Sequence, residues 1–158
     1  MVRASRTIKV NADPREPALT RSLVWRGLMM KAENPLPFVP VITSCRIVER
    51  RADGLTRDIV DRGEPITERV TFQPEQRVTF ERVSGRILGT ILNEIVEDAA
   101  GELALRFTFT LSVAGAADGG AEEQQVAADM EHGYLMAVAT TLKAMRKLAG
   151  DKALTTSG

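Results

Sequence analysis

The chain contains one cysteine, one histidine and one tryptophan in 158 residues. A lone Cys45 excludes an intrachain disulfide framework. Cys45 and His132 together supply too few sulfur and nitrogen ligands for a zinc site. Nucleophilic catalysis needs a base beside the serine or cysteine. His132 is the sole imidazole and lies far along the chain from Cys45, which argues against Ser-His-Asp and Cys-His mechanisms. Charge of one sign is also missing: 21 basic residues balance 21 acidic ones, for a net charge of +0. The whole-chain balance therefore offers no attraction to nucleic acid or to an anionic membrane surface. No apolar run approaches the ~20 residues that span a bilayer, so no membrane insertion is expected. Residues 1–13 lack the apolar stretch of a secretory signal, and a cytoplasmic protein is expected. Neither a phosphate-cradling glycine loop nor a dinucleotide fingerprint occurs, and no cofactor is expected.

What remains is an ordinary globular composition, 44% apolar and 27% charged. That length and composition suit one domain with a real core. The expected domain spans 1–150, followed by a disordered tail over 151–158. Residues 5–11 alternate as a first strand. Leu19, Leu23, Leu28 and the Trp25/Met29 pair recur at helical spacing over 18–33, and Asn34-Pro35-Leu36-Pro37 ends that helix. Six strands are expected at 42–50, 54–62, 65–73, 76–83, 86–97 and 102–114, separated by short turn signals that favour an antiparallel meander. Residues 120–149 form one long helix whose apolar stripe runs through Val126, Met130, Tyr134, Ala137, Val138, Thr141, Met145 and Leu148. The fold class is α+β.

Period-two geometry sets the candidate site. If Val70 and Phe72 face the helix, so does Glu68; Val78 and Phe80 bring Arg82; Ile91 and Ile95 bring Asn93; Ile59 brings Arg57. A buried lone charge is costly, and an apolar pocket with a few convergent polar groups satisfies it. Phe72, Phe80, Phe107, Phe109, Met130, Tyr134 and Val138 are the expected apolar lining, with Tyr134 offering a hydroxyl. His132 falls opposite the apolar stripe and reads as a solvated surface residue. Cys45 reads as a small buried hydrophobe. Asp58, Asp61 and Glu64 cluster at one turn and could bind a hard cation, but ordinary loop solvation explains them. Trp25 reads as core rather than as a ligand-stacking ring. Met29, Met30, Met130, Met136 and Met145 would suit a deformable lining. The strand at 86–97 is apolar on both faces. Leu88, Leu92 and Val96 therefore want cover, from a crossing loop, the N-terminal helical segment or the partner of a homodimer.

The order of strand, short helical segment, antiparallel run and long C-terminal helix resembles the helix-grip fold. That is the fold of the START and Bet v 1-like (SRPBCC) superfamily. Within it, Trp25-Arg26-Gly27-Leu28 through Lys31-Ala32, then Pro35 and Phe38-Val39, resembles the AtaL-like family, formerly a domain of unknown function. The resemblance covers about residues 5–149. It implies a curved sheet wrapped around the last helix with a cavity between them. Superfamily members bind lipids, sterols, hormones and flavonoids, and some cyclise polyketides. The leading expectation is a protein that binds a small hydrophobic or amphipathic molecule, with Glu68, Arg82 and Asn93 orienting it and Arg57 also among the ligand-binding residues. The alternative is a polyketide cyclase or aromatase acting in the same cavity without a covalent nucleophile. A Glu68–Arg82 couple would favour that alternative, and unpaired polar groups would favour binding. A third reading is an interaction module with a filled core.

Overall fold

A computed structural model describes residues 1–156. Among them the chain forms seven strands and two helices. These are β1 (Val2–Lys9), α1 (Arg21–Glu33), β2 (Ile42–Arg51), β3 (Gly54–Asp61), β4 (Glu64–Gln73), β5 (Arg77–Arg82), β6 (Ile87–Glu97), β7 (Leu103–Val113) and α2 (Ala121–Thr156). One antiparallel sheet holds all the strands in the order β1-β7-β6-β5-β4-β3-β2. Strands β2 to β7 are a plain meander, as short turns dictate. Strand β1 closes the far edge against β7, and α2 lies across the concave face. This is the helix-grip arrangement.

Alternation decides which face is dry. On β7, Leu105, Phe107, Phe109, Leu111 and Val113 are buried and stand on the face that meets Val138, Leu142 and Met145 of α2. Each such side chain contributes roughly 1.5–3 kcal/mol by leaving water. Helix α1 starts at Thr20, whose hydroxyl accepts the Leu23 amide at 3.2 Å, an N-cap that satisfies one free donor. It packs on the same face as α2, and the crossing depends on Gly27. A Cβ there would lie 2.9 Å from both Met145 Cγ and Thr141 Cγ2, so only glycine lets the two helices approach this closely. Close approach carries the next turn of α1, with Lys31, into the interior.

Three boundaries differ from expectation. Strand β1 begins at Val2 and ends before Asn11. The Asn11 side chain leaves the ladder to bracket Leu19, accepting its amide at 2.8 Å and donating to its carbonyl at 3.0 Å. Helix α1 begins at Arg21, not 18, because Thr20 caps it. Helix α2 runs on through Thr156, past the expected fraying point at 151; residues 157 and 158 of the expected tail lie outside the described residues. The outer face of β6 is not covered by either helix, since both lie on the concave side. Leu88 is 39% exposed, and Leu92 and Val96 are half-buried. No helix among the described residues is long and apolar enough to cross a membrane.

Candidate functional site

The interior is not uniform along the strands. Toward the tip of the β3–β4 hairpin, charged residues enter the inward rows among the apolar ones. On β3 the inward row is Leu55, Arg57, Ile59 and Asp61, all buried. On β4 it is Ile66, Glu68 and Val70, and on β5 it is Val78, Phe80 and Arg82. Cross-strand register sets Arg57 opposite Glu68 and Glu68 opposite Arg82. The tip is a two-residue turn, Arg62-Gly63, with both φ angles positive (51° and 80°), as the twist of a tight hairpin requires.

These rows wall a slot lined by Ile42, Ile59, Phe80 and Ile91 of the sheet and by Met130, Gly133, Tyr134 and Ala137 of α2. Pro35, Val39 and Val41, from the connection between α1 and β2, complete it. The empty space, counted out to the mouth and including the solvent there, is about 600 Å³. Its enclosed part is about 70 Å³, below the ~300–1,000 Å³ of typical small-molecule sites. The space is a narrow slot rather than a wide hollow.

Six charged residues line the slot: Lys31, Arg57, Asp61, Arg62, Glu68 and Arg82. Glu68 Oε1 accepts from Arg57 Nε at 2.9 Å and Nη2 at 2.8 Å. Arg57 Nη1 donates in addition to the carbonyls of Ala32 (2.7 Å) and Lys31 (3.2 Å) at the end of α1. Its guanidinium also lies 5.1 Å over the Phe80 ring. Asp61 accepts from Arg82 Nη1 at 3.3 Å through one oxygen and from Arg62 Nη1 at 3.0 Å through the other. Arg82 Nε donates to the Ile87 carbonyl at 3.1 Å. Lys31 is only 4% exposed. Its Nζ donates to the Tyr134 hydroxyl at 3.0 Å and, at 3.4 Å, to Asn93 Oδ1, and it sits 4.3 Å from the centre of the Tyr134 ring. Burial disfavours its charged form, Arg57 adds repulsion and Glu68 opposes both, so its pKa falls to about 7. Burial pushes the Tyr134 phenol upward, so the hydroxyl stays protonated.

The structure brings Arg57, Glu68, Phe80, Arg82, Met130 and Tyr134 together around the slot. Asn93 does not line the slot itself; it stands behind Lys31 and Tyr134. Phe107, Phe109, Phe72 and Val138 do not line it. Phe107 and Phe109 back the Tyr134 ring at centroid distances of 5.1 and 5.3 Å. Phe72 packs edge-on against Trp25 at 6.2 Å, and Val138 lies in the main core. Parity placed these rings on the correct face but could not place them along the strand. The Glu68–Arg82 couple that would favour a cyclase does not form; the buried charges make two separate pairs, Arg57–Glu68 and Asp61–Arg82.

Two residues were missed. Lys31 is three residues beyond Leu28 and seven beyond Val24, so it shares their buried face; its charge hid it. Asp61 continues the inward row of Arg57 and Ile59 rather than joining a solvated acidic turn. Its expected neighbours are accounted for separately. A Thr67 hydroxyl bond and the Arg46 guanidinium hold Asp58 below the usual carboxylate range, and Glu64 accepts the Arg86 amide at 2.6 Å. Among the described residues no group of three His, Cys, Asp or Glu is placed to hold a metal ion. His132 is exposed. Cys45 is only half-buried, beside Ile42, Ile59 and Ile66, and burial raises its thiol pKa, the opposite of nucleophile activation. Of the methionines, Met130 alone lines the slot; Met145 is core, Met29 packs against it, and Met30 and Met136 are exposed.

Comparison with solved structures returns the same architecture. The Zhui aromatase/cyclase from Streptomyces sp. R1128 superposes with a TM-score of 0.71 at 15% identity, over 92% of this chain and 94% of that one. The di-domain ARO/CYC StfQ from the steffimycin biosynthetic pathway gives 0.71 at 10% identity, over 94% of this chain and 52% of that one. Ara h 8.0201 gives 0.56 at 15% identity, over 95% and 98%. At such identities the likeness carries the fold alone. No curated protein sequence matches the chain. The AtaL family, "Acetylaranotin biosynthesis cluster protein L", does match, over residues 4–152, and the chain therefore belongs to it.

Proposed function

We propose that the chain binds one small amphipathic molecule in the slot between β3–β6 and α2. The observation that carries this reading is a buried lysine without a carboxylate partner, opening onto a space with apolar walls. A residue whose charge is this costly to bury adds nothing to stability by staying there. A ligand that takes its third proton donor gives it a use. Ile59, Phe80, Ile91, Met130 and Ala137 would contact the apolar body, while Lys31, Tyr134 and Arg62 would address its polar end. The test is native mass spectrometry of protein from its own host, with identification of whatever co-purifies. A stoichiometric small molecule, lost in Ala137→Trp, supports the reading. An empty protein that also ignores a panel of lipids and polyketide-like aromatics refutes it.

A second reading, a cyclase or aromatase, is favoured by the pKa of Lys31 near 7. An amine poised there can accept a proton from a carbon flanked by carbonyls and return it near neutral pH. Confinement of a flexible chain in a narrow slot supplies orientation. The aromatase/cyclase structures of the same fold give this reading its substrate class. Incubation with a short poly-β-keto thioester distinguishes the two. Ring-closed product from the wild type and none from Lys31→Met favours an enzyme; unchanged thioester bound at the slot favours a binder.

A further inference from the structure

The charges inside the slot narrow the class of ligand, given that the slot binds one as proposed above. The lining carries four cationic side chains, Lys31, Arg57, Arg62 and Arg82, and two carboxylates, Asp61 and Glu68. With Lys31 protonated the lining carries an excess of two positive charges, although the whole chain is neutral. The excess is not relieved locally. Glu68 is committed to Arg57 through a forked contact on one oxygen. Asp61 already serves two guanidiniums, one on each oxygen. Among the described residues no carboxylate comes within ion-pair distance of Lys31 Nζ, which has only a phenol, a long contact to an amide oxygen and an aromatic face. Arg62 stands at the mouth, half exposed, and a Cβ added at Gly133 of α2 would lie 3.5 Å from its Nη2.

We infer that the slot selects an acid: a compact apolar body bearing one ionised oxygen, as a carboxylate, phenolate or enolate, seated between Lys31 and Arg62. A neutral ligand of the same shape leaves the two surplus charges as they are. An anion neutralises one directly and screens the other, in a space where low polarity strengthens the attraction. The groups facing Lys31 are Arg57 on β3, Glu68 on β4, Asn93 on β6 and Tyr134 on α2. Of these only Glu68 is acidic, and it is already paired. Anion binding therefore draws a proton onto Lys31, and affinity weakens as pH rises above neutrality.

The experiment uses 4-nitrophenol, whose phenolate is yellow, beside nitrobenzene, its neutral counterpart, each titrated into the full chain near neutral pH. The expected result is a rise in the yellow fraction on binding, equivalent to about a tenfold shift of the phenol equilibrium. Binding of 4-nitrophenol should also be at least tenfold tighter than that of nitrobenzene. Lys31→Met should abolish the colour change. Arg62→Gln, at the exposed mouth, should weaken phenolate binding several-fold and nitrobenzene binding by much less. Equal affinities with no colour change overturn the acid preference and leave the binding slot standing. No binding of either probe overturns both. A colour change that survives in both variants overturns the assignment to Lys31 and Arg62.

Discussion

The two ends of the space between sheet and helix are built from the same strands and obey opposite rules. At one end Val78, Ile95, Leu105 and Phe107 are buried, and Trp25 meets Phe72 edge-on. At the other end the inward positions of β3, β4 and β5 turn to Arg57, Asp61, Glu68 and Arg82, and a slot is left open. The first end is optimised for burial. The second holds buried charges that a purely structural sheet would replace with leucine and isoleucine at no loss. One end stabilises the molecule, and the other is carried by it.

Breaking the packed end should have the largest effect. Phe107→Ala removes a fully buried ring and its contact with Tyr134, and is expected to cost about 3–5 kcal/mol, measured as a fall in the denaturant midpoint. Next comes Glu68→Ala, which leaves Arg57 buried and unpaired. The expected loss is about 3 kcal/mol, and the double variant Glu68→Ala/Arg57→Met should recover most of it. Lys31→Met should change sign, making the protein more stable by about 1–4 kcal/mol below neutral pH.

That sign follows from protonation. The folded-state pKa of Lys31 is near 7, well below its ordinary value of 10.5. Between those two values the unfolded chain holds the extra proton, so wild-type stability should rise as pH increases from 7 toward 10.5. Below 7 both states are protonated, and the full cost of burying the ammonium is present. Lys31→Met should flatten the rise, as chemical denaturation across that pH range would reveal. An unchanged slope would mean that the lysine is solvated. The smallest effect is expected at His132, exposed on the far side of α2: His132→Ala should alter stability by less than about 0.5 kcal/mol and leave probe binding unchanged.

Much of the packed end was legible in the sequence. The run from Leu103 to Val113 alternates so regularly that its dry face follows from the pleat alone. The inward direction of Arg57, Glu68, Arg82 and Asn93 followed from the same rule. Partner choice did not. Glu68 stands directly between Arg57 and Arg82, and only the side-chain geometry decides that it takes Arg57 while Arg82 turns to Asp61. Lys31 shares a helix face with Val24 and Leu28, but a lysine is so seldom buried that its charge outweighs its position. Asp61 precedes a tight turn and was read with the turn rather than with the strand. Distance along a strand is equally silent in a period-two pattern, which is why Phe72 and Phe107 shared a list with Phe80 although they sit elsewhere.

Gly133 gives the slot an adjustable doorway. It is a notch in the flank of α2, opposite the Arg62 guanidinium at the hairpin tip, and a single methyl there would just reach ordinary contact at 3.5 Å. Anything bulkier would push the arginine aside or block the entrance. The aperture is therefore tuned at a position outside the densely packed core. A change at this one residue on the helix would alter what this chain admits, while the sheet, the ion pairs and the buried amine stay as they are.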